Sequence, residues 1–154
     1  MRKSFCWMIL VAGLIAVIAP ITAMAQQAPG PHPAYMHALS NLRAARHYLN
    51  DRWAWEPVRR EVDGAVHEID MAIQDIQAAA IDDGVPLNGP YVIDPHLSPR
   101  DRFKKAAELL GVAHEDLRMS EDVPQSRGLR DRATARVDQA RRIVVDADRT
   151  GRWQ

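Results

Sequence analysis

Apolar residues recur every three or four positions in four stretches of this chain, and this period limits its possible folds more than any other feature. Such a period places apolar side chains on one face of an α-helix, whereas a half-buried strand alternates every second residue. It predicts helix A over 34–52, helix B over 57–81, helix C from Ser98 to about 120 and helix D over 124–148. The apolar stripes are Tyr35, Leu39, Leu42, Ala45 and Leu49 in helix A; Val58, Val62, Val66 or Ala65, Ile69, Ile73 and Ile76 in helix B; Phe103, Ala106, Ala107, Leu110, Ala113 and Leu117 in helix C; and Leu129, Ala133, Val137, Ala140 and Val144 in helix D.

The long connection between helices B and C decides how the helices can be arranged. Residues 84–99 contain four prolines and two glycines, which exclude a helix there. An extended chain covers about 3.3 Å per residue, so this segment is long enough to run the length of a bundle. We predict one all-α domain over 34–148, a four-helix antiparallel bundle with a Pro/Gly-rich crossover. An up-down-up-down order is preferred, and an overhand connection is the alternative.

A weak internal repeat relates the two halves of the predicted bundle at an offset of 68 residues. If the repeat is structural, two similar helical hairpins pack around a pseudo-two-fold axis. The alternative is chance similarity between alanine-rich amphipathic helices. The matching positions are Leu42 and Leu110, Ala45 and Ala113, Leu49 and Leu117, Asp63 and Asp131, Ala65 and Ala133, Asp70 and Asp138, and Ala72 and Ala140.

The N-terminal segment has the three-part layout of a secretory signal. Arg2 and Lys3 precede an uncharged apolar run over 5–19, and Ala23 and Ala25 supply small residues after Pro20. We predict that residues 1–25 are a cleaved signal peptide, that 26–33 form a flexible leader, and that 149–154 form a frayed tail. An uncleaved membrane anchor is the alternative, because the apolar run is about long enough to span a bilayer.

Composition excludes several classes of function for the exported chain. The part after residue 25 carries 18 basic and 20 acidic residues, a net charge of −2, so no strong field attracts nucleic acid. The single cysteine, Cys6, lies in the predicted signal. Disulfides, thiol catalysis and thiolate metal sites are therefore not expected in the mature chain. We expect no stable membrane insertion once the signal is removed.

One cluster on helix B could hold a divalent metal. Asp63, His67 and Asp70 follow at spacings of four and three, which places them on one helix face, and His47 of helix A is a possible fourth ligand. The preferred alternative is that these acids form salt bridges, because antiparallel packing sets Arg43–Arg46 opposite Val66–Asp70. In the second half, His114 is expected to contact Asp131 or Asp138. No cofactor is predicted apart from this possible metal.

Three further features bear on surface and packing. Trp53 and Trp55 lie in the short link between helices A and B, where they either cap the bundle end or form an exposed patch that meets a partner. Gly64 either weakens helix B or permits close approach of a neighbouring helix. The arginines of helix D are expected to lie on a solvated face, diluted by acidic neighbours.

These features favour an exported, non-enzymatic module of the cell envelope that meets a protein partner, because no catalytic motif is visible. The alternative is a bundle that binds a metal or small ligand at Asp63, His67 and Asp70. The stretches 32–46 (HPAYMHALSNLRAAR), 81–84 (IDDG) and 127–131 (RGLRD) resemble those of a group of small exported bacterial helical proteins. That resemblance implies an exported helical fold and implies no activity, cofactor or site residue.

Overall fold

The computed structural model describes residues 33–50, 56–81, 89–119 and 124–151, and within these ranges it forms four helices and no strand. They are α1 (Pro33–Asn50), α2 (Glu56–Ile81), α3 (Pro99–Leu117) and α4 (Pro124–Thr150). The predicted helices are confirmed to within a few residues at each end. The predicted signal peptide and the leader up to residue 32 lie outside the described ranges.

The ends of α3 and α4 have identifiable local causes. The Ser98 hydroxyl accepts a hydrogen bond from the Asp101 amide, and Pro99 occupies the first turn of α3, as predicted. At the other end of the chain, α4 extends into the predicted frayed tail. There the Thr150 hydroxyl donates to the Asp146 carbonyl at 2.9 Å, and the Gly151 amide donates to Ala147 at 2.8 Å.

The predicted apolar stripes form one core. Most of their members are buried, and Val66, Ile73, Ala107 and Leu129 pack against it while partly exposed. Ala65, rather than Val66, is the fully buried member of its pair. Burial of each large aliphatic side chain stabilises the fold by about 1.5–3 kcal/mol before the entropy cost is subtracted. The largest fully buried side chains are Leu39, Leu42, Ile69, Ile76, Leu110, Leu117, Val137 and Val144.

The helices pack in the cyclic order α1–α2–α4–α3, so the preferred up-down-up-down order is wrong and the overhand connection is correct. The most extensive contacts are α2 with α4 and α1 with α3. Within the described ranges, no Cα atom of α1 lies within 8 Å of one in α4, and none of α2 lies within 8 Å of one in α3. Cross-helix contacts such as Ser126–Ala79 and Arg136–Glu68 show that α2 and α4 are antiparallel. The diagonal helices α2 and α3 therefore run in the same direction, which requires a crossover along the bundle.

The described part of that crossover, residues 89–98, is named the strap here, and it lies along α1. The Ser40 hydroxyl donates to the Pro90 carbonyl at 3.1 Å, and the Asp94 amide donates to the Tyr48 hydroxyl at 2.8 Å. Ile93 and Leu97 add apolar contacts with the core. The strap thus runs parallel to α1 and delivers the chain to the start of α3.

The repeat is structural rather than a chance similarity. Adding 68 to the bounds of α2 gives 124 and 149, and α4 spans Pro124–Thr150. The ion pair Arg46–Asp70 between α1 and α2 recurs between α3 and α4 as His114–Asp138, at the same offset. The matched apolar positions are buried in both halves. Two similar hairpins therefore pack around a pseudo-two-fold axis.

Opposite charges meet where the two hairpins face each other on the axis. Glu68 and Arg136 differ by 68 in number, so each is the counterpart of the other, and their charged groups lie 3.3 Å apart. Arg136 and Arg132 also contact Asp75, at 3.2 and 3.1 Å. Some arginines of α4 therefore pair with α2 rather than remaining only solvated. Among the described residues, no atom lies within 4 Å of a Cβ added at Gly64, so the glycine serves no close approach between the described helices.

Candidate functional site

The four predicted metal ligands are not gathered into a site. Asp63, His67 and His47 are exposed, and the Asp70 carboxylate pairs with the guanidinium of Arg46 through both of its oxygens. Across the described helices and strap, no three His, Cys, Asp or Glu side chains are placed to hold a metal ion. The salt-bridge alternative is the one the structure contains for Asp70, because α1 presents an arginine to it.

The predicted interaction residues Trp53 and Trp55 lie in 51–55, outside the described residues, and their role remains a prediction.

In the second hairpin, His114 contacts Asp138 rather than Asp131, with 2.7 Å between Nδ1 and Oδ1. Asp131 instead pairs with Arg130 at 2.7 Å. The His114 and Asp138 side chains are therefore in contact, but His114 Nδ1 does not form a well-directed hydrogen bond with the carboxylate.

The bundle interior is almost entirely apolar where it is described. Ser126 is its one buried polar residue there, and its hydroxyl donates to the Ala79 carbonyl at 3.3 Å, so the group is satisfied. No described helix is long and apolar enough to cross a bilayer. Groups able to recognise a polar ligand must therefore be sought on the surface of the described bundle.

The surface groove between α1 and the strap is the best candidate. It has a volume of about 420 Å³ and is lined by Arg43, Arg46, His47, Asn50 and Tyr91. The lining residues of α1 recur at spacings of three and four, so the helix period places them on one face. None of these described lining residues is acidic. The groove consequently presents two guanidinium groups and an imidazole to solvent.

Tyr91 forms the far wall of this groove. Its ring centroid lies 6.3 Å from that of His47, with the planes tilted by 54°, and 41 % of the residue is exposed. The neighbouring Val92 is 90 % exposed. Tyr91 therefore stands beside the cationic face of α1, and the exposed Val92 follows it on the strap. Sequence reasoning missed them, although an exposed aromatic–aliphatic pair inside a Pro/Gly-rich segment was a usable signal.

One carboxyl group near the other end of α1 has a perturbed titration. Burial raises the pKa of Asp116 above 3.8, opposed by the hydrogen bond from Asn41 and by the charge of His37. The Asn41 amide nitrogen lies 3.2 Å from the carboxylate. This group joins α3 to α1 and lies outside the groove lining.

Comparison of the chain with protein-family models, with curated proteins and with solved structures gives no match. The candidate site is therefore defined by its own geometry.

Proposed function

We propose that the mature protein is an exported, non-enzymatic interaction module of the cell envelope, and that it meets a protein partner at the surface formed by α1 and the strap. The observation that carries this proposal is the exposed pair Tyr91 and Val92 beside the cationic groove. Aromatic and arginine side chains are enriched among the residues that dominate the energy of protein interfaces.

Two properties of the bundle support a binding role. The described interior is packed with buried apolar side chains, so the helices can hold surface groups in fixed positions. The strap is also anchored, because the Arg102 guanidinium donates to the carbonyls of Leu97 at 2.9 Å and Pro95 at 3.3 Å. A preorganised surface loses less conformational entropy when it binds.

Export and contact with a partner are testable in the producing cell. If the signal peptide is cleaved as predicted, the chain is found in the periplasm or the medium, and its mass corresponds to a start at Gln26. To detect contact with a partner, a photo-crosslinking amino acid replaces Val92 on the strap. In a matched control, it replaces Val112 on α3, which is 50 % exposed.

We expect position 92 to crosslink one envelope protein, and mass spectrometry to place the crosslink in an acidic segment of it. Position 112 should give no such product. Equal crosslinking from both positions, or none from position 92, would contradict the proposal. An unprocessed chain retained in the cytoplasm would contradict export.

A further inference from the structure

The two hairpins supply an internal control for which surface residues the fold itself needs. Buried positions match between them, as at Leu42 and Leu110, because both hairpins must build the same core. The charges that line the groove are not repeated in α3. Arg43, Arg46, His47 and Asn50 correspond to Gly111, His114, Glu115 and Arg118, which mix both charges.

The second hairpin forms the same pair of helices with a glutamate in place of His47 and a glycine in place of Arg43, although the Arg141 guanidinium of α4 lies 3.6 Å from a Cβ added at that glycine. Arg46 has a counterpart in His114, because each contacts an aspartate of the next helix. Arg46 and His47 are exposed and Arg43 is partly exposed. Cationic side chains that gather on one face in this way are suited to an anionic partner, because complementary charge raises both specificity and association rate.

Arg46, one of the lining residues of this groove, is paired with Asp70 of α2. Asp70 receives its Nε and Nη2 groups, with 3.3 Å between Nη2 and Oδ2. A guanidinium has five N–H donors, so this pairing leaves donors for a further acceptor. A carboxylate is the acceptor that fits a planar guanidinium, since two parallel hydrogen bonds can form.

We propose that the groove binds the side-chain carboxylate of an acidic segment of the partner protein, with an adjacent aromatic residue of that segment packed on Tyr91 and Val92. This inference rests on the proposed function, and it specifies the chemistry of the same surface. Arg43 and Arg46 bind the carboxylate, and His47 and Tyr91 form the wall beside the aromatic residue.

The test is calorimetric titration of the mature protein with acetyl-Phe-Glu-Glu-amide, with acetyl-Phe-Gln-Gln-amide as the neutral control peptide. We expect binding of the glutamate peptide alone. Its affinity should fall several-fold when NaCl is raised from about 50 to about 300 mM, because salt screens exposed charges. Phenyl phosphate serves as a third probe that separates a phosphate site from a carboxylate site.

Three variants locate the binding. Arg43→Gln should weaken the glutamate peptide about tenfold, the effect of one charge-assisted hydrogen bond. Asn50→Asp tests the same groove without truncating an arginine, because the added charge repels the carboxylate. Arg142→Gln makes the same change on α4, the helix diagonal to α1, and should bind like the wild type. Thermal melts by circular dichroism confirm that each variant is folded.

Equal binding of both peptides, unchanged affinity in Arg43→Gln and Asn50→Asp, or binding of phenyl phosphate without the glutamate peptide would each overturn the inference. Its failure is separable from that of the proposed function. A partner crosslinked at position 92 with no peptide binding removes only the carboxylate site. Peptide binding with no crosslinked partner removes the protein partner from both proposals and leaves only the carboxylate chemistry of the groove.

Discussion

The hairpin α1–α2 and the hairpin α3–α4 share a core but differ in their surfaces. At the seam within each hairpin, Arg46–Asp70 in the first corresponds to His114–Asp138 in the second. Beside the seams the halves diverge, since the first borders the strap and the cationic groove, whose lining includes Arg46 itself. The difference separates side chains that recur in both hairpins, which serve packing, from those that occur only beside the strap.

The axis between the hairpins shows why the two halves cannot be identical. In a symmetric dimer, a residue on a two-fold axis faces its own copy, so a charged residue there meets the same charge. Here Glu68 faces Arg136, and the like-charge contact becomes an attraction. The covalent link through the crossover allowed the two halves to carry opposite charges at that point.

The largest expected effect tests whether the halves contribute equally to stability. Leu42→Ala and Leu110→Ala each remove a fully buried side chain at matching positions. Each should reduce the free energy of unfolding by about 2–5 kcal/mol, from lost burial and the cavity left behind. Urea unfolding of the mature protein measures both. A loss below about 0.5 kcal/mol in one half alone, well under the usual cost of such a cavity, would show that the repeat does not extend to packing.

The next effect tests the charge difference on the axis. Arg136→Glu removes its contacts with Glu68 and Asp75 and places like charges together. We expect a loss of about 1–2 kcal/mol, because each partly buried pair contributes up to about 1 kcal/mol. Adding Glu68→Arg should recover part of it.

The same unfolding assay supplies the control for the axis. Arg142→Glu changes an exposed arginine of α4 that bonds to Gln139, and it should cost far less. If Arg136→Glu and Arg142→Glu destabilise the protein equally, the axial pair has no special role.

A smaller effect of opposite sign is expected at Gly64, whose counterpart in the second hairpin is Arg132. Because no atom of the described residues lies within 4 Å of a Cβ added there, Gly64→Ala should improve helix propensity without a clash with them. The free energy of unfolding should rise by about 0.5–1 kcal/mol. A decrease in thermal stability would show that the glycine is needed for a contact outside the described residues.

The smallest effect concerns Asp116, whose counterpart is Tyr48. Because burial raises the pKa of Asp116 in the folded protein, its contribution to stability is full below the unfolded value of 3.8 and is lost as the pH rises through the folded pKa. Asp116→Asn should therefore stabilise the protein slightly at pH 7, and this advantage should vanish near pH 3. Urea midpoints at both pH values measure it. Glu115→Gln, at an exposed position, should give no such crossing.

The periodic part of the sequence was sufficient to predict the helices and the core. Spacing identifies the buried face of each helix, as at Leu110 and Val137, but it does not say which neighbour that face meets. The arrangement of the helices depends on the crossover between α2 and α3, and the sequence of that segment has no hydrophobic period from which its path could be predicted. The predicted metal ligands are not gathered for a related reason, because spacing placed Asp70 on a helix face and could not show that Arg46 would bind it.

The groove was only partly predictable. His47 was singled out as a metal ligand, and it lies instead in a cationic groove opposite Tyr91. Tyr91 reaches α1 through backbone contacts of the strap, which no sequence period signals. Comparing the halves residue by residue would have identified Arg43 and His47, because their counterparts are Gly111 and Glu115.

The shared core holds the fold, and we propose that the surface beside the strap of the first hairpin binds the partner. The most direct test is an NMR titration of the mature protein with acetyl-Phe-Glu-Glu-amide, followed through every assigned backbone amide. We expect saturable shifts at Arg43, His47, Asn50 and Tyr91, with the amides of Gly111, Glu115 and Arg118 unmoved. Shifts of equal size at both sets of positions, or at the second set alone, would contradict it.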